Sequence, residues 1–245
     1  MIPTYRFRKF HRYMGVVVGI QILFWTLSGL YFSWFDLDEI HGDHNRTPRA
    51  PLIIDPVWTS PTAILAEVAA RDSMAGLLDI DLLDVSGSRT YHLRYVNGQG
   101  DPISVLADAV TGHLRGPINR EEAVAMARQS FIPRVQVRRV EYLTDEMVGP
   151  HHEYRGGPLP AWQVHFDHPS GTRVYISATQ AKILAHRNLK WRIFDFLWMF
   201  HTMDYRGRDD FNNILLRSFS MLGLVTVVSG FLLFALTSPH LRKRR

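Results

Sequence analysis

Two stretches of the chain show no polar alternation at all. Residues 13–35 and 218–241 run for 23 and 24 residues without a formal charge, more than the roughly 20 residues that cross a hydrocarbon core about 30 Å thick. The pattern predicts two transmembrane helices, over 13–35 and 213–238. The first follows basic residues, as a signal peptide does, but it is longer than a signal core and ends in Ser33, Trp34 and Phe35 rather than a small-residue cleavage site, so it reads as an uncleaved anchor. Tyr31 and Trp34 are placed to mark its outer interface.

Between the spans the pattern changes to short periodic segments. A polar, Pro-spaced linker is expected over 36–59, with Pro48, Pro51 and Pro56. Ser60 and Pro61 then supply an N-cap and a first-turn proline for a helix with Ile64, Leu65, Val68 and Ala69 on one face. Tyr91, Leu93 and Tyr95 alternate with His92 and Arg94, which places His92 on the outer face of a strand; the turn Asn97-Gly98-Gln99-Gly100 and the segment Ile103-Ser104-Val105-Leu106 complete a hairpin. The pattern recurs. Asn119 and Glu122 form a capping box before a second helix. Val135, Val137 and Val140 alternate as a strand, as do Trp162, Val164 and Phe166, and Val174-Tyr175-Ile176 returns the chain after the turn His168-Pro169-Ser170-Gly171. Two helix-plus-antiparallel-sheet repeats are expected, over 60–116 and 117–189, the second carrying an inserted loop within 144–157. The aromatic-rich residues 190–206, with Trp191, Phe194, Trp198 and Phe200, predict an amphipathic helix in the membrane interface. The fold class is therefore an α+β membrane protein, two transmembrane helices flanking an extramembrane domain.

Charge gives this arrangement a direction. The net charge of +5 suggests a basic protein with an acidic partner, but all 23 acidic residues lie between Asp36 and Asp210, where 19 basic residues accompany them. The excess sits in the tails 1–12 and 239–245, at Arg6, Arg8, Lys9 and Arg12 and at Arg242, Lys243, Arg244 and Arg245. Short basic segments stay in the cytoplasm, so both termini are expected there and the middle domain outside, in the periplasm of a bacterium. Nucleic acid is not expected as a partner. With 0 cysteines, disulfides, iron–sulfur ligation and thiol redox chemistry are excluded.

Lys9-Phe10-His11-Arg12-Tyr13-Met14-Gly15 resembles the His-Arg-x-x-Gly start of PepSY-associated transmembrane proteins. Leu106-Ala107-Asp108-Ala109-Val110-Thr111-Gly112 resembles the strand-and-turn end of a PepSY module, and Phe200-His201-Thr202 with Gly207, then Leu222-Gly223 to Ser229-Gly230, resemble the family's interfacial histidine segment and the span after it. Larger members include siderophore-iron reductases of the FoxB kind, which hold b-type haem between helices through histidines. The two-span layout with one large periplasmic loop is more similar to the VciB ferric reductases, which assist ferrous iron uptake. Two spans are too few to enclose a haem, so the resemblance implies a homodimer forming a four-helix bundle, with one or two haem b per dimer. Gly15 and Gly19 in the first span, with Thr226, Ser229 and Gly230 in the second, are small residues that suit either such a dimer or packing within one chain.

Two axial imidazoles fill both axial positions of haem iron. Among the 12 histidines, the resemblance points to His11 and His201 as haem ligands, with His240 as a further candidate near the cytoplasmic interface. His201 stands among aromatics that suit a porphyrin wall, and Arg206 or Arg208 is placed to meet a propionate. His41 and His44, with Asp38 and Asp43, supply imidazole and carboxylate donors for substrate Fe(III), or a solvated linker. His151-His152-Glu153 reads as a polar loop or as metal donors. No side chain is assigned a catalytic role of its own, and neither tail is long enough to bind a flavin or nucleotide.

The expected function is a haem-dependent ferric reductase of the inner membrane. It would pass electrons from quinol or a separate cytoplasmic reductase to periplasmic Fe(III) and supply a ferrous iron transporter. A haem-free, membrane-tethered PepSY binding module is the rival reading. Alkaline phosphatase fused within the middle domain, at residue 117, is expected to be active and the same reporter at residue 238 inactive; the reverse pattern contradicts the orientation.

Overall fold

The computed structural model describes residues 4–48, 51–52 and 57–238. The chain divides into two compact units, one of residues 38–191 and the other joining the residues up to 37 with those from 192 onward.

Within the 38–191 unit a helix followed by a four-stranded antiparallel meander occurs twice. The first copy is α3 (Pro61–Arg71) with β1 (Met74–Val85), β2 (Ser88–Asn97), β3 (Pro102–Asp108) and β4 (Leu114–Arg115), in the order β1-β2-β3-β4. The second is α4 (Arg120–Ser130) with β5 (Val137–Leu143), β6 (Ala161–Phe166), β7 (Arg173–Ser177) and β8 (Lys182–Arg187), in the order β5-β6-β7-β8. Local signals set the boundaries. The Ser60 hydroxyl accepts from the Thr62 amide, and Asn119 and Glu122 cap each other's backbone amides. Asn97 Oδ1 accepts from the amides of Gln99 and Asp101, while Gly100 takes a positive φ of 90° that a side chain disfavours. Asp108 Oδ1 gathers the amides of Val110 and Thr111 at the next turn. Strands β1 and β4 extend the first expected hairpin, and β8 the expected strands of the second repeat, to four strands each.

The first sheet is covered on both faces. Ile64 and Val68 of α3 pack on Tyr91, Leu93, Tyr95 and Ala107, the face that the alternation marks as apolar. On the other face Leu83, Val85 and Leu106 share one core with α4 and with Val164, Phe166, Val174 and Ile176 of the second sheet. Burial of His92 follows: it is 1% exposed rather than on a solvated face, because the second repeat covers the side that alternation leaves for water. The inserted loop is anchored in the same way. Glu153 is buried, accepts from Tyr175 Oη and from Arg173 Nη1 at 2.9 Å, and so serves as an internal clamp rather than a solvated loop residue.

In the other unit α1 (Thr4–Trp34) begins well before residue 13, since nothing in the basic stretch breaks a helix and Arg and Lys are good helix formers. α6 (Ile214–Thr237) is close to the expected 213–238. Both helices are long and apolar enough to cross a membrane, and most of their apolar side chains are exposed. They pack antiparallel, with His11 bonded to Ser229 and Val18 against Gly223.

His186 on β8 creates an acid-sensitive point in the 38–191 unit. Ser130 Oγ donates to Ala127 O and so accepts from His186 Nε2 at 3.1 Å, while His186 Nδ1 is buried without a partner. Burial first, then the positive charge of Arg46, opposed by Asp43 and reinforced by Arg187, depresses its pKa to about 4. The unfolded chain then binds a proton that the folded chain refuses, so stability falls as pH drops from the ordinary histidine value of 6.5 towards about 4. His186→Gln, measured by thermal unfolding of the detergent-solubilised protein, is expected to recover on the order of 2 to 3 kcal/mol of the loss between pH 7 and pH 4; an unchanged pH dependence contradicts this assignment.

Candidate functional site

α5 (Leu189–Thr202) carries the aromatic-rich segment and ends at Thr202 rather than 206. From Arg192 onward it packs lengthwise and antiparallel along the second half of α1. Phe194 meets Phe32 and Phe200 stacks on Phe24, each at 4.7 Å between ring centroids. These ring pairs explain the orientation, since the α5 aromatics find partners at successive turns of α1.

A helix end leaves its last carbonyls without intrahelical partners, and in an apolar setting each must be satisfied by protein. Here three side chains do so. Gln21 Nε2 donates to Phe200 O and Trp25 Nε1 to His201 O, both at 2.9 Å. Asn213 Nδ2 donates to Thr202 O at 2.9 Å while Asn213 Oδ1 caps α6 through the Leu216 amide. Gln21, Trp25 and Ser28 lie at i, i+4 and i+7, one face of α1.

Ser28 is the third contact on that face. Its hydroxyl donates to Trp25 O at 3.0 Å, so its oxygen accepts from His201 Nδ1 at 2.8 Å. The imidazole is thereby fixed as the Nδ1–H tautomer, and its Nε2 lone pair has no hydrogen-bond partner among the described residues. Trp198 stacks parallel to the ring at 5.9 Å, with Phe32 at 5.6 Å and Trp25 at 6.5 Å.

His11 is held in the same manner at the other end of α1. Ser229 Oγ donates to Thr226 O at 2.8 Å and so accepts from His11 Nδ1 at 2.6 Å, which leaves Nε2 unpaired among the described residues. Gly230 makes room for it, because a Cβ there would stand 3.3 Å from His11 Cε1. Ser28 and His11 are 17 residues apart on α1, which at about 1.5 Å per residue separates the two imidazole sites by roughly 25 Å. One iron cannot bind both.

Both histidines fit axial ligation of haem: a fixed neutral tautomer, a free Nε2 and a hydroxyl behind Nδ1 that orients the ring are what a ligating imidazole needs. Ser229 and Gly230 serve this packing within the chain, whereas a Cβ added at Gly15 or Gly19 would meet no atom within 4 Å, so both positions stay open. Arg208 pairs instead with Asp195, and Arg206 is exposed. His240 lies outside the described residues. His41 is exposed at the end of α2 (Leu37–His41), and His44 uses Nε2 towards Asn45 at 2.7 Å and Nδ1 towards Asp38 O, while Asp43 pairs with Arg46. The structure does not gather them around a common point. It gathers three donors that sequence periodicity did not bring together, Asp79, Asp81 and His92 on β1 and β2. Ser28 carries no sequence signal of its own, and Ser229 is marked only as a small residue of the second span; their helical spacing from Trp25 and Thr226 is what hints at a fixed hydroxyl.

A family model described as the PepSY-associated TM region matches residues 4–236. No curated protein and no solved structure matches the chain.

The carbonyl partners define a stability test. Trp25→Phe keeps the ring but leaves His201 O unsatisfied, and is expected to destabilise the detergent-solubilised protein by about 1 to 3 kcal/mol; thermal unfolding unchanged from wild type contradicts this role.

Proposed function

The chain belongs to the PepSY-associated transmembrane family, and from that premise we propose that it is a haem b-dependent ferric reductase of the bacterial inner membrane. The observation that supports this best is the shared state of His11 and His201, each an Nδ1–H tautomer backed by a serine and offering a free Nε2. The two sites lie at opposite ends of α1, as a route across a bilayer requires.

Haem b, when bound, supplies reversible one-electron chemistry; the chain's part is to hold and orient it. His11 and His201 would each hold a haem through Nε2, and another copy of the chain in a homodimer would supply the second imidazole, since the two imidazoles of one copy are too far apart to share an iron. Trp25, Phe32 and Trp198 wall the His201 site and keep water from the ring. Electrons enter on the cytoplasmic side from quinol or a separate reductase, and Fe(III) is the substrate on the periplasmic side, giving Fe(II) for a ferrous iron transporter. His41, exposed on α2, is available to meet iron there.

The test is a visible spectrum of protein purified from haem-replete cells, before and after dithionite, combined with an Fe(II)-chelator assay of Fe(III) reduction. A Soret band that shifts on reduction is expected, with His11→Ala and His201→Ala each diminishing the band and the reduction rate. Protein without a Soret band favours the haem-free binding module; variants with unchanged spectra and reduction overturn the ligand assignment.

A further inference from the structure

The first sheet carries a polar site far from any role in haem ligation. Asp79 and Asp81 stand two residues apart on β1 and share a face, and His92 is paired directly across from Asp81 on β2. His92 is 1% exposed. Its Nε2 is bonded to Ser104 Oγ of β3 at 2.7 Å, which turns Nδ1 towards the two carboxylates. Asp81 Oδ2 is 3.6 Å and Asp79 Oδ1 4.0 Å from Nδ1, too far for a hydrogen bond. Nδ1 of His92 and Oδ1 of Asp79 are both buried without a partner.

Two unsatisfied polar atoms facing each other are costly in a folded protein and call for an explanation. With Nε2 engaged by Ser104, Nδ1 is the nitrogen left to face the carboxylates, so the space is lined by an imidazole nitrogen and carboxylate oxygens within 4.8 Å of one another. A cation between them would satisfy all three. The surrounding charges are also in place. Arg94 takes the outer oxygen of Asp79 at 2.8 Å and leaves Oδ1 free to point inward. Lys182, from β8 of the second repeat, pairs with Asp81 and stands where it would have to yield to an incoming metal. Both aspartates are only half-buried, so their side chains can rotate inward to shorten the three-atom span.

We propose that Asp79, Asp81 and His92 form a binding site for a first-row transition-metal cation, with Ser104 as the positioning residue for His92 and Lys182 as the competing internal cation. One imidazole with two carboxylates is a donor set for manganese, iron, cobalt or zinc, and the nitrogen ligand argues against calcium. The site is independent of the haem reading, since none of its residues belongs to α1, α5 or α6.

Co2+ is the probe, titrated calorimetrically and by visible absorption into untagged full-length protein in detergent. One Co2+ per chain is expected at this site, with ligand-field bands. Ser104→Ala is expected to weaken binding about 10- to 100-fold by freeing the imidazole. Asp81→Asn, at a half-exposed position that does not threaten folding, is expected to abolish the bands, and Lys182→Met to tighten binding. The absence of saturable Co2+ binding, or binding and bands unchanged in both Ser104→Ala and Asp81→Asn, overturns the proposal. Either result leaves the Soret spectrum unaffected, so failure here is distinct from failure of the haem reading.

Discussion

A helix that ends in apolar surroundings must have its final carbonyls satisfied by protein, and the arrangement around α5 follows from that constraint. Phe200, His201 and Thr202 each offer a carbonyl, and Gln21, Trp25 and Asn213 each meet one. Because Gln21 and Trp25 lie on the face of α1 that also carries Ser28, fixing the helix end fixes the position of the His201 ring. Asn213 adds the start of α6 to the same arrangement through its N-cap. A single stripe of α1 therefore sets helix packing and imidazole orientation together. At the far end of α1, Ser229 and Gly230 of α6 do for His11 what Ser28 does for His201.

The 38–191 unit shows a different use of packing. Each repeat has its own helix on one side of its sheet, but the core that includes Leu83, Leu106, Val164 and Ile176 belongs to both repeats. Covering the second face of the first sheet turns the polar residues there from solvated groups into buried ones. His92 and the Oδ1 atom of Asp79 are the result, and Lys182 reaches the adjacent Asp81 from the second repeat. Duplication thus creates an inter-repeat polar environment that neither module would hold alone.

Much of this was legible along the chain. Two uncharged runs marked α1 and α6, the Ser60 and Asn119 caps started α3 and α4, and Asn97 to Gly100 closed the β2–β3 turn, because each of these is encoded within a few residues. β1 carries a period-two signal at Asp79, Ile80, Asp81 and Leu82, yet its continuous apolar surroundings masked it. The rest depends on long-range packing. Nothing local distinguishes His92 from an outward-facing strand histidine, since its burial requires a repeat about 70 residues away. The Ser28–His201 pair spans 173 positions and the His11–Ser229 pair 218, so family resemblance could mark the histidines and the small residues around Ser229 but not which serine meets which histidine. The linker pair His41 and His44 looked like a donor cluster by spacing alone; in the folded chain His44 is engaged by its neighbours and the two do not converge.

In the proposed reductase, His11 and His201 are axial ligands completed by a second copy of the chain. Low-temperature electron paramagnetic resonance of the oxidised, purified protein addresses that most directly. Bis-imidazole ligation at each end predicts low-spin ferric haem as the dominant species, with part of that signal lost when the histidine of one site is changed to alanine, because the substitution removes both imidazoles of that site from the homodimer. A wild-type spectrum that is wholly high-spin, or without haem iron, would contradict it.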